Sequence, residues 1–368
     1  MFNKNRFKLG VFGLNCSHGC TISHAETTFE PTFEHNVKIA QLADKIGFEF
    51  LLPVGRWRHF GGTTQFNGTN LEVYTWAAGI TCHTKDIMVF ATSHVPTVHP
   101  ILAAKQSATI DNISNGRFGI NVVCGWFKPE MEMFGVKQLP HDERYVMANE
   151  WMSCVKRLWT EQDFDHDGQF YKIDQGFLSP KPIQQPHPPV WVAAASPGSA
   201  EEAASRGYAF SGAPFGSARS AKEIRTQLDM YDQVFRDAGH GEPPRDLPHV
   251  VWCHVADTTA QALANAERGM KLKLDSATKV WTPPGTKGYE AMAEIGKFLA
   301  TATIDQLDEL SIFGDPDRCR ERVEVYKSAG VKHLMLYFDW GGLSHAETVH
   351  ALELFAEGVM PHFSDELA

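Results

Sequence analysis

Short runs of apolar, β-branched and aromatic residues alternate along the chain with longer segments whose apolar positions recur at helical spacing, the pattern of βαβ units around a parallel sheet. The short runs predict strands at 7–12, 48–53, 87–92, 118–123, 189–194, 208–211, 249–255 and 333–339. Between them the helical period predicts helices at 31–46, 71–82, 100–113, 141–159, 200–206, 221–239, 258–270, 315–329 and 345–359. Pro31 opens the first of these and Gly47 closes it, the usual asymmetry of helix ends. Asn115-Gly116 and Asp167-Gly168 mark tight turns, the second inside a hairpin insertion, and the Pro-rich run at 180–189 is a rigid connector. Residues 271–310 carry no readable period, and we expect an insertion there within one domain spanning 1–368. Eight strand-and-helix units predict an α/β fold, a (β/α)8 TIM barrel with insertions, whose active site lies where loops leave the strand C-termini. A doubly wound open sheet is the other arrangement of such units.

Length agrees with the barrel, since 368 residues exceed an average domain but α/β barrels run this long as single units. With 43% apolar and 21% charged residues the composition is that of a globular chain. A formal charge of −10, from 34 Lys plus Arg against 44 Asp plus Glu, argues against nucleic acid as a partner. The longest uncharged stretch, 87–104, is interrupted by His94, Pro96, His99 and Pro100, so no bilayer span is expected. The N-terminus runs from a polar basic start into a short apolar run without a signal-peptide core, which places the chain in the cytoplasm. Seven scattered cysteines in a chain of this size are expected to be reduced thiols.

The first strand runs on into GLNCSHGC rather than a glycine fingerprint for dinucleotides, and no P-loop, Gly-x-Ser-x-Gly elbow or His-Glu-x-x-His occurs. Cys16, His18, Cys20 and His24 place four soft or imidazole ligands within nine residues, yet the spacing matches no common zinc site. Polar lining of an active-site mouth is the reading we adopt, with no metal. Ser196, where a strand ends and a helix begins, is either a plain N-cap or part of a phosphate site at a helix N-terminus. His141 to Tyr145 opens a helix with an acidic turn, in which Arg144 and Tyr145 also offer donors to an anion. Asn121 sits inside a strand that ends in Gly125-Trp126, as a buried amide satisfied by its neighbours or as one facing a flat ring.

Taken together, the stretch from Ala108 to Trp126 and the run His141 to Tyr145 resemble the bacterial luciferase-like flavin-dependent monooxygenases, a likeness that extends to 181–189 and Ser196. Within that family, 60–66, 70–72 and 125–130 are most similar to the pyrimidine monooxygenases that open the uracil ring, and less so to alkanesulfonate and dimethylsulfone monooxygenases. The resemblance implies a homodimer or homotetramer of (β/α)8 barrels using O2 and FMN. The flavin would arrive as FMNH2 from a separate NAD(P)H-dependent flavin reductase. It implies an oxygen pocket at Leu52, Thr92, Asn121 and Trp126, in which Thr92 and Asn121 donate to the reduced oxygen. Flavin contacts carry over to Gly55, Arg56, Asn121, Glu130, Arg144, Tyr145 and Ser196, while Asn15, His18, Trp57 and Trp340 are candidates for lining a substrate pocket. The implied substrate is a small polar molecule, an N-heterocycle or cyclic amide. Alternatives are an organosulfur monooxygenase, a deazaflavin oxidoreductase or a non-catalytic flavin-binding protein. The loop at 16–20 departs from the pyrimidine enzymes, and 338–342 matches them only in part.

Overall fold

A computed structural model describes residues 3–16, 31–61, 65, 67–194, 196–212, 220–244, 246–269, 296–298, 301–338 and 342–365. Strands β1 to β4 are Lys8–Phe12, Phe50–Leu52, Met88–His94 and Phe118–Val123; β5 and β6 are Asp163–Asp167 and Lys172–Phe177. Strands β7 to β11 are Val190–Ala194, Ala209–Gly212, Pro248–Val255, Ile312–Gly314 and His333–Tyr337. Helices α1 to α6 are Phe33–Ile46, Val73–His83, Pro100–Ser114, Lys128–Met133, His141–Thr160 and Pro197–Ser205. Helices α7 to α11 are Ala221–Asp237, Thr259–Gly269, Ile304–Asp308, Pro316–Ser328 and His345–Gly358.

Eight parallel strands close a ring in the order β1, β2, β3, β4, β7, β8, β9, β11 and back to β1. Closure excludes the open doubly wound sheet. β5 and β6 form the separate antiparallel hairpin expected around Asp167-Gly168. Three elements were not foreseen: β10, which pairs with Cys253 to Val255 at the far end of β9, the short helix α4, and α9 within the stretch 271–310, most of which, as the expected insertion, lies outside the described residues. Helix α1 starts two residues later than Pro31 suggests, because the Thr32 hydroxyl accepts from the His35 amide and so becomes the N-cap. No helix among the described residues is long and apolar enough to cross a membrane.

The two-residue period of the strands divides the core into an outer layer under the helices and an inner plug. Phe118, Ile120 and Val122 of β4 belong to the outer layer, while Phe50, Met88, Phe90 and Trp191 fill the barrel. The Phe90 and Trp191 rings stack 3.9 Å apart at 10° and Phe50 meets Trp191 edge-on. Room for these rings comes from glycines paired with them in register, Gly10 opposite Phe50 and Gly119 opposite Phe90. A methyl group on Gly119 would overlap the Phe90 ring. Gly119→Ala is therefore expected to lower the unfolding free energy by about 1–3 kcal/mol in chemical denaturation. Gly198→Ala, where an added Cβ meets nothing within 4 Å, serves as the comparison and should be near neutral.

Candidate active site

Two residues beyond the aromatic plug, the inward face of the sheet turns polar. Thr92 and Asn121 are register partners on β3 and β4, one layer above the Phe90 and Gly119 pair. Both are almost fully buried, as is Ser211 on β8. Thr92 donates its hydroxyl proton to the Pro53 carbonyl at 2.7 Å, the Asn121 amide nitrogen lies 3.5 Å from the Thr92 oxygen, and Ser211 donates to the Asn121 carbonyl oxygen at 2.8 Å. Of the two donors expected from the sequence, Thr92 thus has its proton engaged, and Asn121 keeps one N–H without a partner among the described residues. Leu52, at the end of β2, adds an apolar wall from the neighbouring strand. These three come together through alternation on adjacent strands.

Trp126 comes from the loop after β4 and joins a different cluster. Its ring stacks on Phe60 at 5.4 Å, and the Arg56 guanidinium lies over Phe60, Trp126 and Phe127 at 4.4, 5.2 and 5.9 Å. Cation–π contact is strongest where water is excluded, and the Arg56 side chain is only 8% exposed. Glu130, fully buried at the third position of α4, binds Arg56 Nη1 at 3.0 Å with one oxygen and accepts from the amides of Trp57 and Arg58 at 2.6 and 3.3 Å with the other. Gly55 makes this approach possible, since a Cβ there would lie 2.7 Å from the Thr92 carbonyl and 2.9 Å from the His94 ring.

His94, two residues past Thr92 and so on the same inward face, places Nε2 3.8 Å from Glu130. Desolvation pushes this imidazole down to about 4, with the Glu130 charge opposing and the Arg56 charge adding to the shift. It is therefore neutral at physiological pH, and among the described residues neither its Nε2 nor the Arg56 Nε has a hydrogen-bond partner. The sequence reading passed over His94 and Ser211; strand alternation counted on from Thr92, and the hydroxyl ending the strand at 208–211, would have flagged both.

The remaining flavin candidates gather at two helix starts. Arg144, buried in the first turn of α5, donates from Nη1 to the Gly125 carbonyl at 2.9 Å and leaves Nε unpartnered. Ser196 caps α6, its hydroxyl accepting from the Ser199 amide while the Ser199 hydroxyl returns to the Ser196 backbone. Burial raises the Tyr145 phenol, as does nearby Cys124, against a hydrogen bond to Ser199 and the Arg144 charge. Tyr145 thus stands beside the starts of both α5 and α6. At Ser196 the structure shows the N-cap, with Gly198 exposed and open space beside it.

Asn15 does not offer its side chain to a pocket. It is fully buried, donating to the carbonyls of Val54 and Leu71 at 2.8 and 3.1 Å and accepting from the Val54 amide at 2.8 Å, so it braces two loops at the mouth. Trp57 is partly exposed and meets Phe134 edge-on at 5.1 Å. His18 and Trp340 lie outside the described residues, as do Cys20 and His24. Among the described residues no group of three or more His, Cys, Asp or Glu could hold a metal.

The family model for luciferase-like monooxygenases matches residues 8–333. The chain is 40% identical over 179 residues to the pyrimidine monooxygenase RutA of Pantoea ananatis, covering 48% of this chain and 49% of that protein. In that match the chain spans about half the length of its relative. It is 31% identical over 377 residues to the pyrimidine monooxygenase RutA of a Bradyrhizobium species, covering 98% of each. Among solved structures, monooxygenase RslO1 from Streptomyces bottropensis superposes with a TM-score of 0.74 at 24% identity, over 97% of this chain and 100% of that one. That structural likeness is one of fold.

Proposed function

Because the chain belongs to the luciferase-like monooxygenase family, we propose that it is a two-component monooxygenase. It uses FMN, delivered reduced by a separate reductase, and O2 to oxygenate a small N-heterocycle or cyclic amide. The observation that carries the reading is the Asn121 amide at the barrel mouth. It is held from both sides, keeps one N–H free among the described residues, and stands beside apolar Leu52 above an aromatic plug that keeps water out from below. The substrate class is supported by the pyrimidine monooxygenases the chain resembles.

The residues present fit a flavin mononucleotide. Arg144 with its unpartnered buried Nε, Tyr145 and the Ser196 end of α6 would hold the phosphate. The loop at Gly55 and Arg56, clamped by Glu130, would flank the ring system together with Asn121 and Trp126. Bound reduced FMN would supply the electrons for activating O2. For their part, Leu52 offers O2 an apolar niche, and Asn121 offers an N–H where negative charge develops on oxygen, a pre-placed donor of the oxyanion-hole kind. Thr92, its proton engaged by Pro53, accepts from Asn121 and does not donate to the reduced oxygen. Neutral His94 adds no second cation beside Arg56.

The test mixes the protein anaerobically with photoreduced FMN and admits oxygenated buffer with uracil, a pyridine-type heterocycle or a sulfonate, then analyses flavin spectrum and product. One class should yield oxygenated product and change the course of flavin reoxidation. Reoxidation indistinguishable from free FMN with every compound overturns the proposal. Asn121→Ala should lower product formation by about 100-fold, the usual loss for one such donor, with FMN affinity by fluorescence quenching little changed. An equal loss of affinity would remove the assigned role.

A further inference from the structure

We infer that Ser211 is a positioning residue for the oxygenation step, fixing which end of the Asn121 amide faces the barrel mouth. This rests on the function proposed above. The oxygen and nitrogen ends of an asparagine amide have nearly the same shape, so only hydrogen-bond partners decide between them. Here the decision starts at Pro53, whose carbonyl can only accept. Thr92 must donate to it, which leaves the Thr92 oxygen as an acceptor and calls for the Asn121 nitrogen on that side. That contact is long, 3.5 Å, and weak on its own. Ser211 supplies the short one, 2.8 Å to the Asn121 oxygen, and it is buried enough that water does not replace it. The result is a one-way chain, Ser211 to Asn121 to Thr92 to Pro53, which leaves one Asn121 N–H free among the described residues.

The residue between the two strands is part of the arrangement. β7 separates β4 from β8, and Ala193 stands opposite Ser211 in register. It lies two residues past the inward-facing Trp191, so it presents only a methyl group where a larger side chain would come between Asn121 and Ser211.

Ser211→Ala and Ser211→Thr are compared with the wild type and Asn121→Ala in the full-length protein. Three readouts are followed: FMN affinity, oxygenated product per flavin reoxidised, and the side-chain amide resonances of Asn121 in 15N-asparagine-labelled protein, assigned by their absence from Asn121→Ala. FMN affinity of the Ser211 variants should stay within about twofold of the wild type. Ser211→Ala should lower product per flavin about tenfold, as loss of one buried hydrogen bond allows, and shift or broaden the Asn121 resonances. Ser211→Thr, which keeps the hydroxyl, should restore both. Ser211→Cys takes the place of Ser211→Ala if the alanine variant melts well below the wild type. Wild-type behaviour of the Ser211 variants beside a crippled Asn121→Ala overturns the role of Ser211 and leaves the proposed function standing. A wild type that forms no oxygenated product from any substrate class brings down both.

Discussion

Glu130→Gln is expected to lower the unfolding free energy by about 3–5 kcal/mol, the cost of leaving one buried charge without its partner. Glu130 is fully buried and the Arg56 side chain nearly so. No water can take over the pairing, and desolvation already lowers the Arg56 pKa against the support of Glu130. Glutamine keeps the shape but has a single oxygen, while both oxygens of Glu130 face donors, Arg56 on one side and the amides of Trp57 and Arg58 on the other. Whichever way the new amide turns, its NH2 meets another donor. Removing both charges at once should behave differently. In Arg56→Met/Glu130→Gln the flexible methionine fills the space between Phe60, Trp126 and Phe127, and the unpaired charge is gone. The double variant should therefore lose clearly less than the sum of the two singles, and a denaturation cycle measures the difference. A cost below about 1 kcal/mol for Glu130→Gln, the range of a solvent-exposed pair, would sink this account. The same geometry refines the part Glu130 plays in flavin binding: with both oxygens engaged by protein, it acts through the loop at 55–58 that it holds.

What the sequence discloses and what it conceals follow from the range of the interactions. Every barrel strand was legible because each is a compact apolar run flanked by helical period. The β5–β6 hairpin showed itself through its turn. β10 has only three residues and follows a stretch without period, and its pairing with β9 depends on a partner 59 residues upstream, from Ile312 to Cys253. α4 has six residues and no side-chain cap, so only Pro129 in its first turn announces it locally. In the site, Leu52, Thr92 and Asn121 were grouped by the family resemblance, and in the structure alternation along β2, β3 and β4 turns all three to the inward face. Asn15 could not be placed correctly, since its partners Val54 and Leu71 lie 39 and 56 residues away. The Ser211 contact crosses a whole strand, from β8 over β7 to β4, and depends on barrel stagger that no single strand encodes.

Acid should unfold the protein well before its carboxylates are titrated. Three buried histidines, His94, His249 and His254, each fall from 6.5 to about 4. Desolvation is the leading cause in all three, the only one at His249, and at His254 it is opposed by Glu347 and assisted by Arg268 and His350. The native chain holds these rings neutral while the unfolded chain protonates them near their ordinary value. Above pH 6.5 both states are neutral and the stability is fully present. Between 6.5 and 4 the unfolded state binds more protons, so stability falls as pH falls. Each group accounts for about 3 kcal/mol over that interval, and three of them draw on most of the net stability of a domain, about 5–15 kcal/mol. Asp246, raised by burial, works in the opposite direction and offsets part of the loss. Denaturant unfolding measured at a series of pH values should show stability dropping steeply from pH 6.5, with a slope approaching three protons taken up on unfolding. A flat profile between pH 6.5 and 5, where ordinary carboxylates do not yet titrate, would show that these rings are not held neutral. At His94 the consequence reaches the site, because a proton there sets a second cation beside Arg56 against the single carboxylate of Glu130. The mouth of the barrel should therefore loosen at its Arg56 loop in the same pH range in which the fold as a whole weakens.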